Sequence, residues 1–190
     1  MNKANRAISQ ISTWLQHHGL AIAPEKTESI VMVGRRALLD IRFEVNGIEV
    51  KPTRRLKYLG IWLDHRRSFK VHIEEVSRKC TKVAGCLSRL MENIQEPSPS
   101  RRRLLATVVE SIALYATPVW TRALNSARTR SILDQVQRKM ALRVCSGYRT
   151  IAADAAFVIA SVPPLSIKAE ERVHRHNGME TTEAQNKLLD

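Results

Sequence analysis

Five arginine clusters are the residues of this chain best suited to chemistry: Arg35-Arg36, Arg54-Arg55, Arg66-Arg67, Arg101-Arg102-Arg103 and Arg128-Thr129-Arg130. A guanidinium presents a planar fork of donors that matches phosphate oxygens, so paired arginines at turns and helix starts suit contact with a phosphate backbone. The whole chain carries the same signal, with 31 Lys+Arg against 18 Asp+Glu and a formal net charge of +13. A balance of that size condenses on polyanions and makes affinity salt-dependent. A single arginine pair is also what a solvated surface looks like, so the clusters define the charge of a partner rather than a site.

Other chemistries find less support. His17-His18 and His174-x-His176 have no further ligands at zinc spacing, and no metal site is expected. Cys80, Cys86 and Cys145 are odd in number, lack CxxC spacing, and read as small core residues in a reducing compartment. The five aspartates, Asp40, Asp64, Asp134, Asp154 and Asp190, are scattered, and there is no Asp-Asp pair. No apolar run approaches the roughly 18 residues of a membrane span, and the N-terminus has no signal-peptide core. The expectation is an intracellular protein, in nucleus or cytoplasm, with no membrane partner and no small-molecule substrate in isolation.

The elements that position these residues follow from periodicity. Ala4, Ile8, Ile11 and Leu15 recur at helical spacing and Gly19 follows as a stop, which predicts an amphipathic helix from Asn2 to His18. A Pro24-Glu25-Lys26-Thr27 turn comes next. Ser29 to Val33 and Ile41 to Val45 read as strands, Asn46-Gly47 as a hairpin turn, Ile48 to Val50 as its return, and Leu56 to Leu63 as a further strand. Gly60 interrupts that last run where a side chain would stand, which predicts a bulge or a close backbone approach.

From Phe69 the pattern becomes helical. Ile73, Val76, Cys80, Val83, Leu87, Leu90 and Ile94 alternate by four and three and make one apolar stripe, with Arg78, Lys82 and Arg89 opposite. Pro97-Ser98-Pro99 stops that helix, and Ser100 is placed to cap the next, which opens on Arg101 to Arg103 and continues through Leu104, Leu105, Val108, Val109 and Ile112. Three arginines at a helix start oppose the macrodipole, a cost most easily offset by a nearby anion. Ala113 to Trp120 is an apolar segment broken by Pro118. Leu133, Val136, Met140 and Val144 mark another helix, and Ala152 to Ala160 and the stretch from Leu165 mark two more.

The order helix, PEKT turn, hairpin and KYLG strand resembles the part of a reverse transcriptase that follows its catalytic aspartates. The similarity is to the reverse transcriptases of non-LTR (LINE-like) retrotransposons. His17 to Glu28 (HHGLAIAPEKTE) resembles the family's motif D, and Leu56 to Asp64 (LKYLGIWLD) resembles motif E, the primer grip. Ser111 to Trp120 and Val136 to Leu165 resemble the thumb and the extension after it, so the likeness covers roughly Ala4 to Arg175. It implies that Tyr58, Leu59 and Gly60 form the grip and that Lys26 is the proton donor to departing pyrophosphate. It also implies a thumb lying along an RNA/DNA primer-template duplex, and the segregation of Arg78, Lys82 and Arg89 from the apolar stripe, with Arg101, Arg102 and Arg103 at a helix start, predicts that these six cations meet it. Such a polymerase needs two magnesium ions held by aspartates, one pair of them in a Tyr/Phe-x-Asp-Asp turn. This sequence contains no such turn, which implies no metal cofactor in this chain and an inactive fragment that relies on fingers and palm encoded upstream.

The fold expected is α+β: residues 1–66 as a palm remnant with one helix on a small antiparallel sheet, 67–150 as a helical thumb bundle, 151–177 as a helical extension and 178–190 as a disordered tail. The function expected is the primer-template-binding portion of an RNA-directed DNA polymerase, a nucleotidyltransferase of a transposable element. A non-catalytic basic nucleic-acid-binding module accounts for the same arginine clusters. A third reading, half an enzyme that folds only with its fingers and palm, expects an exposed apolar surface where the absent sheet packs.

Overall fold

The computed structural model describes residues 3–32, 41–91 and 99–187. It is α+β and divides into two compact units, Met1–Val71 and His72–Asp190.

The first unit is a helix on a hairpin. Helix α1 (Lys3–His17) packs against β1 (Phe43–Val45), which pairs antiparallel with β2 (Ile48–Val50) in the register Phe43 to Val50 and Val45 to Ile48. The predicted Asn46-Gly47 turn is present, with φ of +50° and +79°, the two positive values that a two-residue hairpin loop requires. Val45 and Val50 are buried beneath it. Of the expected apolar stripe of α1, Ala4, Ile8 and Leu15 are half-buried, on the side that also carries Asn5 and Ser12. Ser12 is buried and its hydroxyl donates to Asn46 Oδ1 at 2.6 Å, the Asn46 amide donates to the Ile22 carbonyl at 3.1 Å, and Asn5 bridges Arg42 and Glu44. Ile11 and Trp14 are left 54% and 58% exposed. A buried hydroxyl must be hydrogen-bonded, and the left-handed turn holds the Asn46 side chain where Ser12 can reach it, so polar residues of α1 face the hairpin.

The stretch Leu56 to Leu63 is a hairpin and not one strand. β3 (Arg55–Tyr58) pairs antiparallel with β4 (Ile61–Asp64), Tyr58 opposite Ile61 and Arg55 opposite Asp64. Leu59 and Gly60 form the loop, with φ of +46° and +85°. Gly60 therefore supplies a left-handed turn residue rather than a bulge, and Leu59 bears the cost that an L side chain incurs in that region. The two hairpins are separate sheets, where one was expected. The Ser29 to Val33 strand reduces to a single parallel bridge, Ile30 to Thr53, and Val33 lies outside the described residues. Asp64 ends the hairpin. It is buried, and its carboxylate accepts from the backbone N–H of Arg66, Ser68 and Phe69 at 2.9, 3.2 and 2.8 Å and from the Ser68 hydroxyl at 3.1 Å.

The second unit is all helical among its described residues. Helix α2 (Lys70–Met91) buries Ile73 and Cys80 of the predicted stripe and half-buries Val76, Val83 and Leu87, while Ile94 and the predicted stop at Pro97-Ser98 are outside the described residues. The Cys80 thiol lies 3.6 Å from the Val109 carbonyl of α3 (Pro99–Ala113), and burial pushes its pKa up to about 11. Cys86, read as core, is exposed. Pro99 takes the first position of α3, where its missing N–H costs nothing, so Ser100 lies inside the first turn and does not cap it. Pro118 likewise opens a helix, α4 (Thr117–Trp120), instead of breaking an apolar run, because left-handed Ala116 has already ended the previous one. Trp120 is fully buried, donates from its indole N–H to the Tyr115 carbonyl at 2.8 Å, and lies 5.9 Å from the ring of buried His72.

A 3-10 turn (Thr121–Asn125) leads to α5 (Ala127–Val144), which buries the predicted Leu133, Val136, Met140 and Val144. Helix α6 (Ala153–Ala160) closes one core cluster through Ala156, Phe157 and Ala160 packed with Ala106, Ala141 and Leu142. Helix α7 (Leu165–His176) follows, and α8 (Thr181–Asn186), with Ala184 fully buried, forms within the segment read as a disordered tail.

Two outcomes are expected. Gly60→Val should lower stability by about 1–3 kcal/mol, because a β-branched residue is strained at positive φ; an unchanged melting temperature would refute the turn geometry. Burial lowers the pKa of His72 below its ordinary 6.5. The unfolded chain then binds the extra proton first, so the stability linked to His72 is complete above about pH 6.5 and is lost as pH falls through the lowered folded value. Urea midpoints of the native chain should fall more steeply on acidification than those of His72→Phe.

Candidate nucleic-acid interface

In the first unit the residues assigned to the grip occupy the tip of the β3–β4 hairpin. Tyr58 and Leu59 are 60% and 73% exposed, and with Gly60 they leave a turn backbone open to approach. Buried Ile61 holds the strand pair just behind the loop and buried Asp64 anchors its base, and the Arg55 guanidinium stands 5.7 Å over the Trp62 ring, a cation–π contact that stiffens the strand pair below the tip. Lys26 sits elsewhere, exposed in a 3-10 turn (Pro24–Lys26) closed by the Thr27 N–H and hydroxyl on the Pro24 and Ala23 carbonyls. Turn and hairpin are related through the Ile30 to Thr53 bridge, where the Thr53 N–H donates to the Ser29 carbonyl at 2.8 Å. The Arg35-Arg36 pair is outside the described residues.

In the second unit the six assigned cations divide into two kinds. Arg78 forms a fork on the Glu75 carboxylate at 2.5 and 3.0 Å, and Arg89 leans on the Cys86 sulfur at 3.5 Å. Lys82, Arg101 and Arg103 are exposed and carry no such partner among the described residues. Arg102 differs from its neighbours. It is half-buried and donates to the Ser146 hydroxyl at 2.6 Å, tying the start of α3 to the end of α5. Its place could have been read from spacing, because Arg102 precedes buried Leu105, Ala106 and Val109 by three, four and seven residues and so shares their face.

Sequence reasoning also missed cations with structural duties. Lys168 pairs with Glu110 at 2.5 Å, Arg172 donates to the Leu114 carbonyl at 3.0 Å, and Arg138 donates to the Arg149 and Ile151 carbonyls at 2.6 and 2.7 Å. Each supplies a donor to an acceptor at a junction between helices, where the backbone ladder has none to offer.

Among the described residues the aspartates do not come together as a metal pair. Asp64 is saturated by its turn. Asp134 is half-buried, its pKa raised first by desolvation, lowered by Arg130 and raised again by Asp154. Asp40 and Asp190 lie outside the described residues. Among the described residues no three His, Cys, Asp or Glu side chains converge as ligands, and no single helix is long and apolar enough to cross a membrane.

Comparison with known proteins gives this surface its context. The chain is 27% identical over 170 residues to the 115 kDa protein in type-1 retrotransposable element R1DM of Drosophila melanogaster, covering 88% of this chain and 16% of that one. It is 24% identical over 175 residues to the retrovirus-related Pol polyprotein from type-1 retrotransposable element R1 of Bradysia coprophila, covering 88% and 17%. Both relatives are proteins of retrotransposable elements. A further relative, from transposon BS of Drosophila melanogaster, carries the name of an RNA-directed DNA polymerase and is 24% identical over 153 residues, 77% of this chain and 17% of that one. The chain thus spans about a sixth of the length of each of these three relatives. No family model matches it, and no solved structure does.

If the arginines at the start of α3 meet phosphates, Arg101→Ala with Arg103→Ala should weaken duplex binding. The log–log salt slope should become shallower by roughly 0.9 for each phosphate no longer neutralised. Arg128→Ala with Arg130→Ala is the charge-matched control, and equal weakening by both pairs would reduce the effect to net charge.

Proposed function

We propose that this chain is part of the reverse transcriptase of a non-LTR retrotransposon and that it holds the primer-template duplex. The observation that carries the reading is the alignment of 88% of the chain with the Pol polyprotein of a retrotransposable element, together with the exposure of the KYLG segment as a hairpin tip. A tight two-residue loop brings backbone N–H and C=O groups to the end of a stiff ribbon, and Gly60 adds no side chain to keep a strand away. Tyr58 and Leu59 offer apolar surface to a sugar or base, and Lys26 is the proton donor to the leaving pyrophosphate.

On this reading the exposed cations of α2 and α3, Lys82, Arg101 and Arg103 foremost, track the phosphate backbone without reading sequence. The apolar residues left open on α1, Ile11 and Trp14, support a covering partner, which we assign to the fingers and palm of the polymerase. Metal ions held by aspartates supply charge neutralisation at the transferring phosphoryl group; no residue described in this chain is assigned to them.

Purified chain should bind a primer-template but not extend it. Template-directed nucleotide incorporation that disappears on chelation would overturn the assignment of a holding role, and failure to bind any nucleic acid would overturn the reading as a whole.

A further inference from the structure

One cavity of the second unit has no part in the interface above. It is a depression of about 860 Å³, broadly open to solvent, among the ends of α3, α4, α7 and α8. That volume has room for one nucleotide-sized group with one side left in solvent. Its donor-bearing wall comes from α7, where the Arg172 and Arg175 guanidiniums and the His176 imidazole fall at i, i+3 and i+4 and therefore on one side of the helix. Leu114, Pro118 and Met179 provide apolar lining, and Thr181 and Thr182 provide hydroxyls. Against the cations stands one carboxylate, Glu180.

The wall is built by specific local structure. Gly178, at φ +94°, ends α7, with its N–H on the Arg175 carbonyl and the Met179 N–H on the His174 carbonyl. This reversal is the one that turns Met179 back toward the helix it follows. Arg172 is held by the Leu114 carbonyl. The side chains of Arg175 and His176 make no hydrogen bond or ion pair among the described residues. The cavity thus combines fixed apolar surface with two donors that are not engaged elsewhere in the fold.

We infer that this cavity takes one nucleotide of a single-stranded nucleic acid, its phosphate on Arg175 and His176 and its base or sugar against Leu114, Pro118 and Met179. A simple inorganic anion would leave the apolar wall unused, and an apolar ligand would leave the Arg175 guanidinium and the His176 imidazole without an acceptor. A phosphate ester with an organic body answers both. The inference rests on the reading of this chain as a nucleic-acid-binding part of a reverse transcriptase, and it adds a second, strand-specific site to it.

The test is fluorescence anisotropy on the full chain with a labelled single-stranded oligonucleotide and, separately, a labelled primer-template duplex. Arg175→Ala with His176→Ala should lower single-strand affinity by roughly tenfold at low salt, with a slope shallower by roughly 0.7 for each phosphate no longer neutralised. Met179→Ser, which changes no charge, should also weaken the single strand, while duplex binding stays as in the native chain. Single-strand affinity that is unchanged in both variants, or lowered by Arg175→Ala with His176→Ala only as much as by Arg128→Ala with Arg130→Ala, would overturn the site. Duplex binding retained in that case leaves the proposed function standing, whereas a native chain that binds neither probe overturns both.

Discussion

The second unit depends on one buried amide. Helix α5 is enclosed along most of its length, with Leu133, Val136, Gln137, Met140, Ala141, Leu142 and Val144 all buried. A buried side-chain amide must satisfy both its donor and its acceptor or cost the fold their desolvation. Gln137 does so on a single segment. Its Nε2 donates to the Pro163 carbonyl at 2.6 Å and its Oε1 accepts from the Leu165 N–H at 2.7 Å. The Pro163-Pro164 link, which has no N–H of its own to offer, is thereby docked on α5. The start of α7 is set with it, and so the side of α7 that carries Arg172, Arg175 and His176.

A carboxylate does equivalent work in the first unit. Asp64 closes β4 and gathers three backbone N–H groups across a loop in which Arg67 and Phe69 hold positive φ. Two left-handed L residues in three positions are unfavourable alone, and charge-assisted hydrogen bonds offset them. The hairpin base is rigid for this reason, which is what an exposed tip at Leu59-Gly60 needs if it is to meet a ligand in one geometry.

Electrostatics explain why +13 does not translate into a uniformly cationic surface. Arg102, Arg138, Arg172 and Lys168 are drawn to carbonyls, a hydroxyl and a carboxylate that the helix packing leaves unsatisfied. Arg78 is half neutralised by Glu75. The cations that remain open, among them Lys82, Arg101 and Arg103, are fewer than the sequence count suggests, and they determine where a polyanion gains most.

Periodicity was sufficient for the longer helices, though not for α4 and α8. The stripes of α2 and α5, the positions of α6 and α7, and the Asn46-Gly47 turn were all legible in the sequence, because each follows from local spacing and turn chemistry. So was the resemblance to retrotransposon proteins, through the order of the PEKT turn, the hairpin and KYLG. The spacing of Arg102 from Leu105 and Val109 already held its structural role, unread. Three things were settled only in three dimensions. Leu59-Gly60 became a hairpin loop although Leu is a poor left-handed residue, since the pairing of Arg55–Tyr58 with Ile61–Asp64 outweighs the local preference. Helix α1 buries Ser12 and engages Asn5 beside the half-buried Ala4, Ile8 and Leu15 while Ile11 stays exposed, because the hairpin meets it with the Asn46 side chain and open backbone groups, partners that no periodicity announces. The cavity beside Arg175 exists because the ends of four helices meet there, and residues that come together from Leu114 to Thr182 are joined by packing over distances along the chain that local pattern does not reach.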